Sequence, residues 1–379
     1  MLYRTLGKTG EKVSILGLGC MRLPVIGDDP SRIDEIAAEE IVRYAIDSGI
    51  NYFDTAYPYH EGKSESFLGK VLNDIDRKKV FLVTKMPSWL IESRKEMDTY
   101  FEEQLEKLHT NFVDAYLVHT LNSDFWKSLT ELGLFEFLDT IKEKGKARYV
   151  GFSFHDNVEL FKEIVDAYPW DICQIQYNYL DVDYQAGKEG LLYAAEKGLG
   201  IVIMEPLRGG CLAENVPPEI MDIWNKNPVR RTPAEWGLRF LWDYPEINIV
   251  LSGMTTLDQL KENIQTAENG HAKSLTDFEH ELISKVRNIY REKLKVNCTG
   301  CRYCLPCPAG VNISLNFKYL NNAMLFGDIE KARLDYMNHV GDDRKASNCI
   351  KCGRCSERCP QDIPIPEMLE EIVKLLESE

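Results

Sequence analysis

Between about residues 13 and 255 one pattern recurs eight times: a short β-branched apolar run, then a longer amphipathic stretch. The runs are VSILGLG (13–19), INYFD (50–54), VFLVTK (80–85), DAYLVH (114–119), ARYVGFS (147–153), ICQIQY (172–177), GIVIME (200–205) and INIVLSG (247–253). Segments such as AAEEIVRYAIDSG (37–49), MDTYFEEQLEKL (97–108), LFEFLDTIKEKG (134–145) and GLLYAAEKG (190–198) lie between them. Strands alternating with helices at this spacing pair in parallel, and eight such units close into an α/β fold, the (β/α)8 TIM barrel. An open doubly wound sheet would need a glycine-rich turn leading straight from its first strand into a helix. Here GLGCMRLP (17–24) runs into Pro24 and an acidic loop instead.

A barrel of this kind carries its chemistry at the C-terminal ends of its strands. Asp54, Lys85 and His119 each end a different run, and Tyr59 lies in the loop after the second. Any one of them alone would read as a polar residue capping a strand. Together they suit carbonyl reduction, in which a proton must reach the oxygen as negative charge builds there. Tyrosine is a poor acid near neutrality, with an ordinary pKa of about 10. An ammonium such as Lys85 stabilises the phenolate, a carboxylate such as Asp54 holds the ammonium, and His119 orients the carbonyl or shares the proton.

The stretches FDTAYPYH…KSE (53–65), VTK (83–85), DAYLVH (114–119), EPLRGG (205–210) and SGMTTLDQLKENI (252–264) resemble the aldo-keto reductase pattern, in register over about residues 3–270. The resemblance implies a catalytic tetrad of Asp54, Tyr59, Lys85 and His119, with tyrosine as general acid/base. It implies a nicotinamide dinucleotide lying across the strand ends. It assigns to cofactor binding Gly19, Cys20 and Met21; Ser153 and Gln176; Met204, Pro206, Leu207, Arg208 and Gly210; and Ser252, Gly253, Met254, Gln259, Glu262 and Asn263. Tyr57 falls at a variable, pocket-lining position, and His60 stands where glycine is usual. Two positions depart from the pattern: Phe154 replaces the asparagine that commonly holds the carboxamide, and Met204 replaces the aromatic ring that commonly stacks on nicotinamide. A thioether can still pack on a flat ring. At the phosphate end the last stretch offers only Lys261, with Arg208, Arg230 or Arg231 as substitutes, and the expected cofactor is NADPH rather than NADH.

Cysteine use changes abruptly along the chain. Of 11 cysteines, Cys20, Cys173 and Cys211 precede residue 298, and the other eight lie within 298–359. CTGCRYCLPCP contributes Cys298, Cys301, Cys304 and Cys307; CIKCGRCSERCP contributes Cys349, Cys352, Cys355 and Cys359. The second is the bacterial ferredoxin run C-x2-C-x2-C-x3-C-P. In that pattern three thiolates wrap one cubane and the fourth serves the other, which predicts one [4Fe–4S] cluster on Cys298, Cys301, Cys304 and Cys359. The second cluster falls to Cys349, Cys352, Cys355 and Cys307. Structural zinc would instead call for cysteine pairs. The helical insert NFKYLNNAMLFGDIEKARLDYM (316–337) and the closing helix PEMLEEIVKLLES (366–378) give a small, mainly α-helical ferredoxin-like domain over 286–379, after a barrel over 1–285.

The net charge of −15 argues against nucleic-acid or anionic-membrane partners. With no signal-like N-terminus and no membrane-length apolar stretch, the expected location is the cytoplasm. The expected small-molecule partner is a carbonyl or alcohol. Because nicotinamide moves electrons in pairs and clusters move them singly, three accounts stay open. They are an NAD(P)H-dependent reductase with structural or regulatory clusters, an enzyme fed by a ferredoxin or flavoprotein partner with flavin bound, and a non-catalytic redox-sensing subunit.

Overall fold

The structure is a computed structural model that describes residues 1–27 and 29–378. It divides into two compact units, residues 1–206 with 234–275 and residues 207–233 with 276–379.

In the first unit, β1 (Tyr3–Thr5) and β2 (Lys12–Ser14) form an antiparallel hairpin. The other strands are β3 (Leu16–Gly19), β4 (Tyr52–Asp54), β5 (Phe81–Met86), β6 (Val113–Leu121), β7 (Ala147–Phe154), β8 (Ile172–Gln176), β9 (Gly200–Met204) and β10 (Ile249–Ser252). They close as a parallel barrel in sequence order, with β10 beside β3. The expected barrel therefore stands. Its first expected strand, 13–19, is divided between hairpin and barrel: Ser14 Oγ donates to Leu16 O at 2.7 Å, and Asn51 Oδ1 accepts from Ser14 N at 2.8 Å. These side-chain bonds accompany the turn at Ile15, where Ser14 pairs with Tyr3 in the hairpin instead of joining the barrel ladder.

The barrel interior is packed by Tyr52, Phe81, Val83, Ala115, Leu117, Ile172, Val202, Ile249 and Leu251, with Tyr149 against them. Because strand side chains alternate in direction, these residues define which positions on each strand face inward. One inward step beyond that apolar layer brings Asp54, Lys85, His119, Ser153, Gln174 and Met204 toward the C-terminal mouth. The mouth's chemistry is thus placed by strand register.

In the second unit, helix Asp277–Lys293 opens on a Thr276/Glu279 capping box and packs on helix Pro218–Trp224, tied by the Lys293–Glu219 ion pair. The expected single helical insert is two helices, Ile313–Phe326 and Ile329–His339. Gly327 takes φ +68° and the Asp328 side chain accepts from Lys331 N at 3.0 Å, so the chain stops one helix and caps the next. Helix Ile365–Ile372 completes a core of Phe317, Leu320, Tyr336, Leu369 and Ile372. Among the described residues no helix is long and apolar enough to cross a membrane.

Candidate active site and cluster-ligand cysteines

Lys85 is wholly buried, and its Nζ donates to Asp54 Oδ1 at 2.6 Å, Thr55 O at 2.9 Å and Tyr59 Oη at 3.4 Å. Tyr59 meets His119 edge-on, with ring centroids 6.1 Å apart, and Trp89 lies 5.4 Å from the same imidazole. All four tetrad residues are buried, so the four that the sequence separates by up to 65 positions share one site. Burial pushes the Asp54 carboxyl up and the Lys85 ammonium down from their ordinary values, and the attraction of each for the other opposes both shifts. Burial, then Lys85 and His155, hold the His119 imidazole far below its usual range, so it is neutral.

The surrounding chain fixes these groups. Ser88 Oγ donates to His119 O at 2.6 Å, and Thr120 N donates to Ser153 Oγ at 2.7 Å across a turn where Thr120 has φ +55°. Behind β5, buried Glu65 accepts at Oε1 from Thr84 Oγ1 and from Gln104 Nε2, both at 2.6 Å. Gln104 Nε2 also donates to Lys85 O at 2.9 Å, which pins the strand end that carries the lysine. The sequence reading missed Gln104, since nothing in a helical EEQLEK run marks one glutamine as buried. Tyr57 turns aside, 3.4 Å from Glu103 and under the Lys107 ammonium. His60 takes φ +54°, the region that favours glycine, and its ring bridges Leu23 N at 3.1 Å and Pro30 O at 2.8 Å. Beyond His119, Trp126 sits on a helix (Ser123–Glu131) and donates to Glu163 at 2.9 Å.

The cofactor residues fall into distinct settings. Gly19 ends β3 beside Ser252, where a Cβ would make ordinary contact with the Ser252 carbonyl at 3.5 Å. Cys20 is buried against the Asp54–Lys85 pair, and burial pushes its thiol up to about 12. Gln176 Nε2 donates to Asp181 at 3.0 Å. Met204 Sδ lies 3.9 Å from Gln174 Nε2. Phe154 points away from the mouth, into rings of Phe152 and Phe161 at 6.5 and 5.1 Å. Met21 is half-buried and Met254 buried. Arg22 lays its stem over Gly253 and its guanidinium 3.7 Å from Glu205, while Thr255 donates to Arg22 O at 3.1 Å. Asn263 donates to Ser252 Oγ at 3.1 Å, and Gln259 forms a capping box with Thr256 at the start of helix Leu257–Ala267, which also carries Glu262.

Pro206 closes this stretch of the first unit, and Leu207, Arg208 and Gly210 belong to the second. There the buried Arg208 guanidinium donates to Asn297 Oδ1 at 2.6 Å, beside Cys298. Arg230 bonds Asn225, Arg231 pairs with Glu279, and Lys261 stands over the Tyr44 ring.

The cysteines ring two hollows. Cys298, Cys301, Cys304 and Cys359 line one, narrowed to about 20 Å³, with Phe317 and Ile363. Cys304, Cys307, Cys349, Cys352 and Cys355 line the other, about 260 Å³, so Cys304 borders both. Burial and then the neighbouring Cys301, Cys298 and Cys359 push the Cys304 thiol up; Cys349 and Cys307 act on Cys355 in the same sense. Among the described residues no three His, Cys, Asp or Glu side chains are placed to hold a single metal ion. A cubane spreads its ligands over the corners of a cage, so thiols around a hollow suit a cluster.

Residues 15–287 match the aldo/keto reductase family, well over half of the chain. The chain belongs to that family. Residues 297–363 match a 4Fe-4S dicluster domain. Similar proteins include the L-galactose dehydrogenase of Arabidopsis thaliana, 28% identical over 69% of this chain and 86% of the relative. A probable aldo-keto reductase of Glycine max is also 28% identical, over 68% of this chain and 82% of its own. Among solved structures, the holo form of aldo-keto reductase AKR11C1 from Bacillus halodurans superposes with a TM-score of 0.63 at 27% identity, covering 76% and 96% of the two chains. This family member is an oxidoreductase, with a fused iron–sulfur domain.

Proposed function

We propose that the barrel interconverts a small carbonyl and its alcohol, with Tyr59 as proton donor and acceptor, while the C-terminal domain holds two [4Fe–4S] clusters. The observation that carries this is the Lys85 Nζ, bonded at once to Asp54 and to the Tyr59 hydroxyl. A bound nicotinamide dinucleotide supplies or accepts the hydride. In the reducing direction Tyr59 Oη gives its proton to the carbonyl oxygen as charge develops there. The Lys85 ammonium stabilises the phenolate left behind, and Asp54 keeps that ammonium aimed and charged. His119, neutral, directs the carbonyl without competing as an acid. Trp89, partly exposed beside His119, gives the substrate an apolar wall.

The residues at the mouth fit the nicotinamide: Gln174 Oε1 is buried there without a hydrogen-bond partner among the described residues, free to accept from its carboxamide. NADPH over NADH rests on Lys261. We assign the clusters to Cys298, Cys301, Cys304 and Cys359, and to Cys307, Cys349, Cys352 and Cys355, with residues 1–285 as reductase and 286–379 as iron–sulfur domain. A ferredoxin or flavoprotein is the partner such clusters would serve, and the cytoplasm is the compartment that keeps their thiolates reduced.

Tyr59→Phe tests the reading directly. We expect turnover with NADPH and an aldehyde panel, beginning with polyhydroxy aldehydes given the L-galactose dehydrogenase relative, to fall at least a hundredfold. Unchanged turnover ends the acid/base assignment. An anaerobic absorption spectrum of the purified protein showing a resolved flavin band would favour the flavin-linked account.

A further inference from the structure

Of the eight cysteines between 298 and 359, Cys352 is the exposed one and the others are half-buried. Its hollow is also the open one, about 260 Å³ against about 20 Å³ for the hollow of Cys298, Cys301 and Cys359. A cluster held at Cys307, Cys349, Cys352 and Cys355 therefore reaches the surface at its Cys352 corner.

The rim of that corner is apolar at its centre. Ile350, between two of the ligands, lines the hollow and is 66% exposed, and Pro306 and Pro308, flanking Cys307, are exposed with it. Around them stand Arg354 and Arg358, both exposed and, among the described residues, the only charged side chains that line this hollow. Neither guanidinium has an ion-pair or hydrogen-bond partner among the described residues. That is unexpected in a chain with 60 acidic residues to 45 lysines and arginines. Other cations of this unit do take acids: Lys351 pairs with Glu370, Lys345 with Asp342 and Lys295 with Glu371.

An exposed isoleucine ringed by unpaired arginines has the makeup of a protein interface, with an apolar centre and arginines as anchors. A cubane on four thiolates is itself anionic and draws on the same cations. Each guanidinium carries five N–H donors in a rigid fork, which leaves donors for a partner's carboxylate as well. What has reason to approach a cluster at its exposed corner is a molecule that moves electrons singly.

We propose that the face formed by Ile350, Arg354 and Arg358 around Cys352 docks an acidic one-electron carrier protein, whose carboxylates meet the two arginines. The inference rests on the two-cluster reading above and gives the partner named there a place and a charge. A single electron passes between carrier and cluster: one is oxidised as the other is reduced, with no bond made and no proton moved. The chain's net charge of −15 repels such a carrier elsewhere, so this face sets its orientation as well as its affinity.

The test is isothermal titration calorimetry on the full-length, cluster-loaded protein under anaerobic conditions, at low and at high salt. The probes are a [2Fe–2S] ferredoxin and a flavodoxin, both acidic. Wild type is compared with Arg354→Glu/Arg358→Glu, with Ile350→Ser and with Lys331→Glu, a control at an exposed cation that lines neither hollow. Iron content is measured first, and if the arginine variant has lost iron, Ile350→Ser carries the decision. We expect wild type to bind a carrier more weakly as salt rises. The arginine variant should bind at least about tenfold more weakly at low salt and lose most of the salt dependence. Ile350→Ser should bind about tenfold more weakly, the worth of burying that side chain, and Lys331→Glu as wild type does. The inference is overturned if neither carrier binds wild type, or if Lys331→Glu weakens binding as much as the arginine variant. A carrier bound alike by wild type, the iron-replete arginine variant and Ile350→Ser keeps the partner and overturns the face. Wild type that sediments as a dimer, with Ile350→Ser a monomer, also overturns it, because a second copy then covers the face. Wild type holding less than two clusters' worth of iron overturns the two-cluster reading itself, and that result is read before any variant is made.

Discussion

Replacing Asp54 by Asn tests the electrostatic logic of the site most sharply. The substitution keeps the shape and an acceptor oxygen for Lys85 Nζ but removes the one charge bonded to it at 2.6 Å. Lys85 is wholly buried, so a retained ammonium would face an uncompensated desolvation cost of about 3–5 kcal/mol. The lysine avoids that cost by giving up its proton. Burial already lowers its pKa, and Asp54 is the largest influence raising it, so removing the carboxylate lowers it further. At 1.36 kcal/mol per unit, the lower bound corresponds to roughly two units. The sign follows: an activity that needs the ammonium is lost as pH rises, and in the variant it is lost about two units sooner. The kcat of Asp54→Asn should therefore fall by up to about a hundredfold on the alkaline side of its profile and recover toward acid pH, and the variant should melt below wild type, because the unfolded chain returns to Lys85 the proton its buried site then withholds. Steady-state kcat from pH 5.5 to 9.5, alongside thermal melts, measures both. If the variant's pH–rate profile overlies that of wild type within threefold, Asp54 does not hold the lysine's charge.

The cluster pairing is checked by iron content in double variants. Cys298→Ser with Cys359→Ser should lose no more iron than either single change, whereas Cys349→Ser with Cys359→Ser should empty both sites; the reverse result would mean each run binds its own cluster. Acid stability is checked through the imidazoles. His155 and His119 both have depressed pKa values in the folded chain, so they contribute fully above pH 6.5 and their contribution is lost as pH falls below it. Between pH 7 and 5, urea unfolding of His155→Asn should lose on the order of 2 kcal/mol less stability than wild type.

The strands were legible because each is an apolar run with both faces covered, and the boundaries that failed did so for local reasons. Ser14 and Asn51 divert the first run through side-chain bonds that hydrophobic patterning does not register. The Gly327-Asp328 break was written in the sequence as a glycine followed by a helix-capping aspartate, yet apolar spacing continued across it. At the site, Asp54, Lys85 and His119 were readable from strand ends alone. Phe154 shows the limit of matching position by position: it stands where the family commonly has asparagine, yet its ring packs into Phe152 and Phe161. Arg208 was read as a phosphate ligand by motif, and its bond to Asn297 depends on a fold that brings residues 89 apart together.

How the electrons arrive is a separate question from how the proton does. A carbonyl oxygen needs a proton whether its carbon receives a hydride or two single electrons, so the Tyr59–Lys85–Asp54 geometry serves either route and Tyr59→Phe would damage both. The carbon records the difference. In hydride transfer the new C–H bond carries hydrogen from the nicotinamide ring, whereas stepwise electron transfer through the clusters leaves a carbanion-like centre that takes its hydrogen from water. Turnover of an aldehyde with NADPH deuterated at the transferable position should therefore place deuterium on the product carbon, and turnover in heavy water with unlabelled NADPH should place none there. The neutral, desolvated His119 beside Tyr59 makes the same prediction from the protein side, because it supplies no acid aimed at carbon. Product carbon labelled from solvent would refute direct hydride transfer from nicotinamide to the carbonyl.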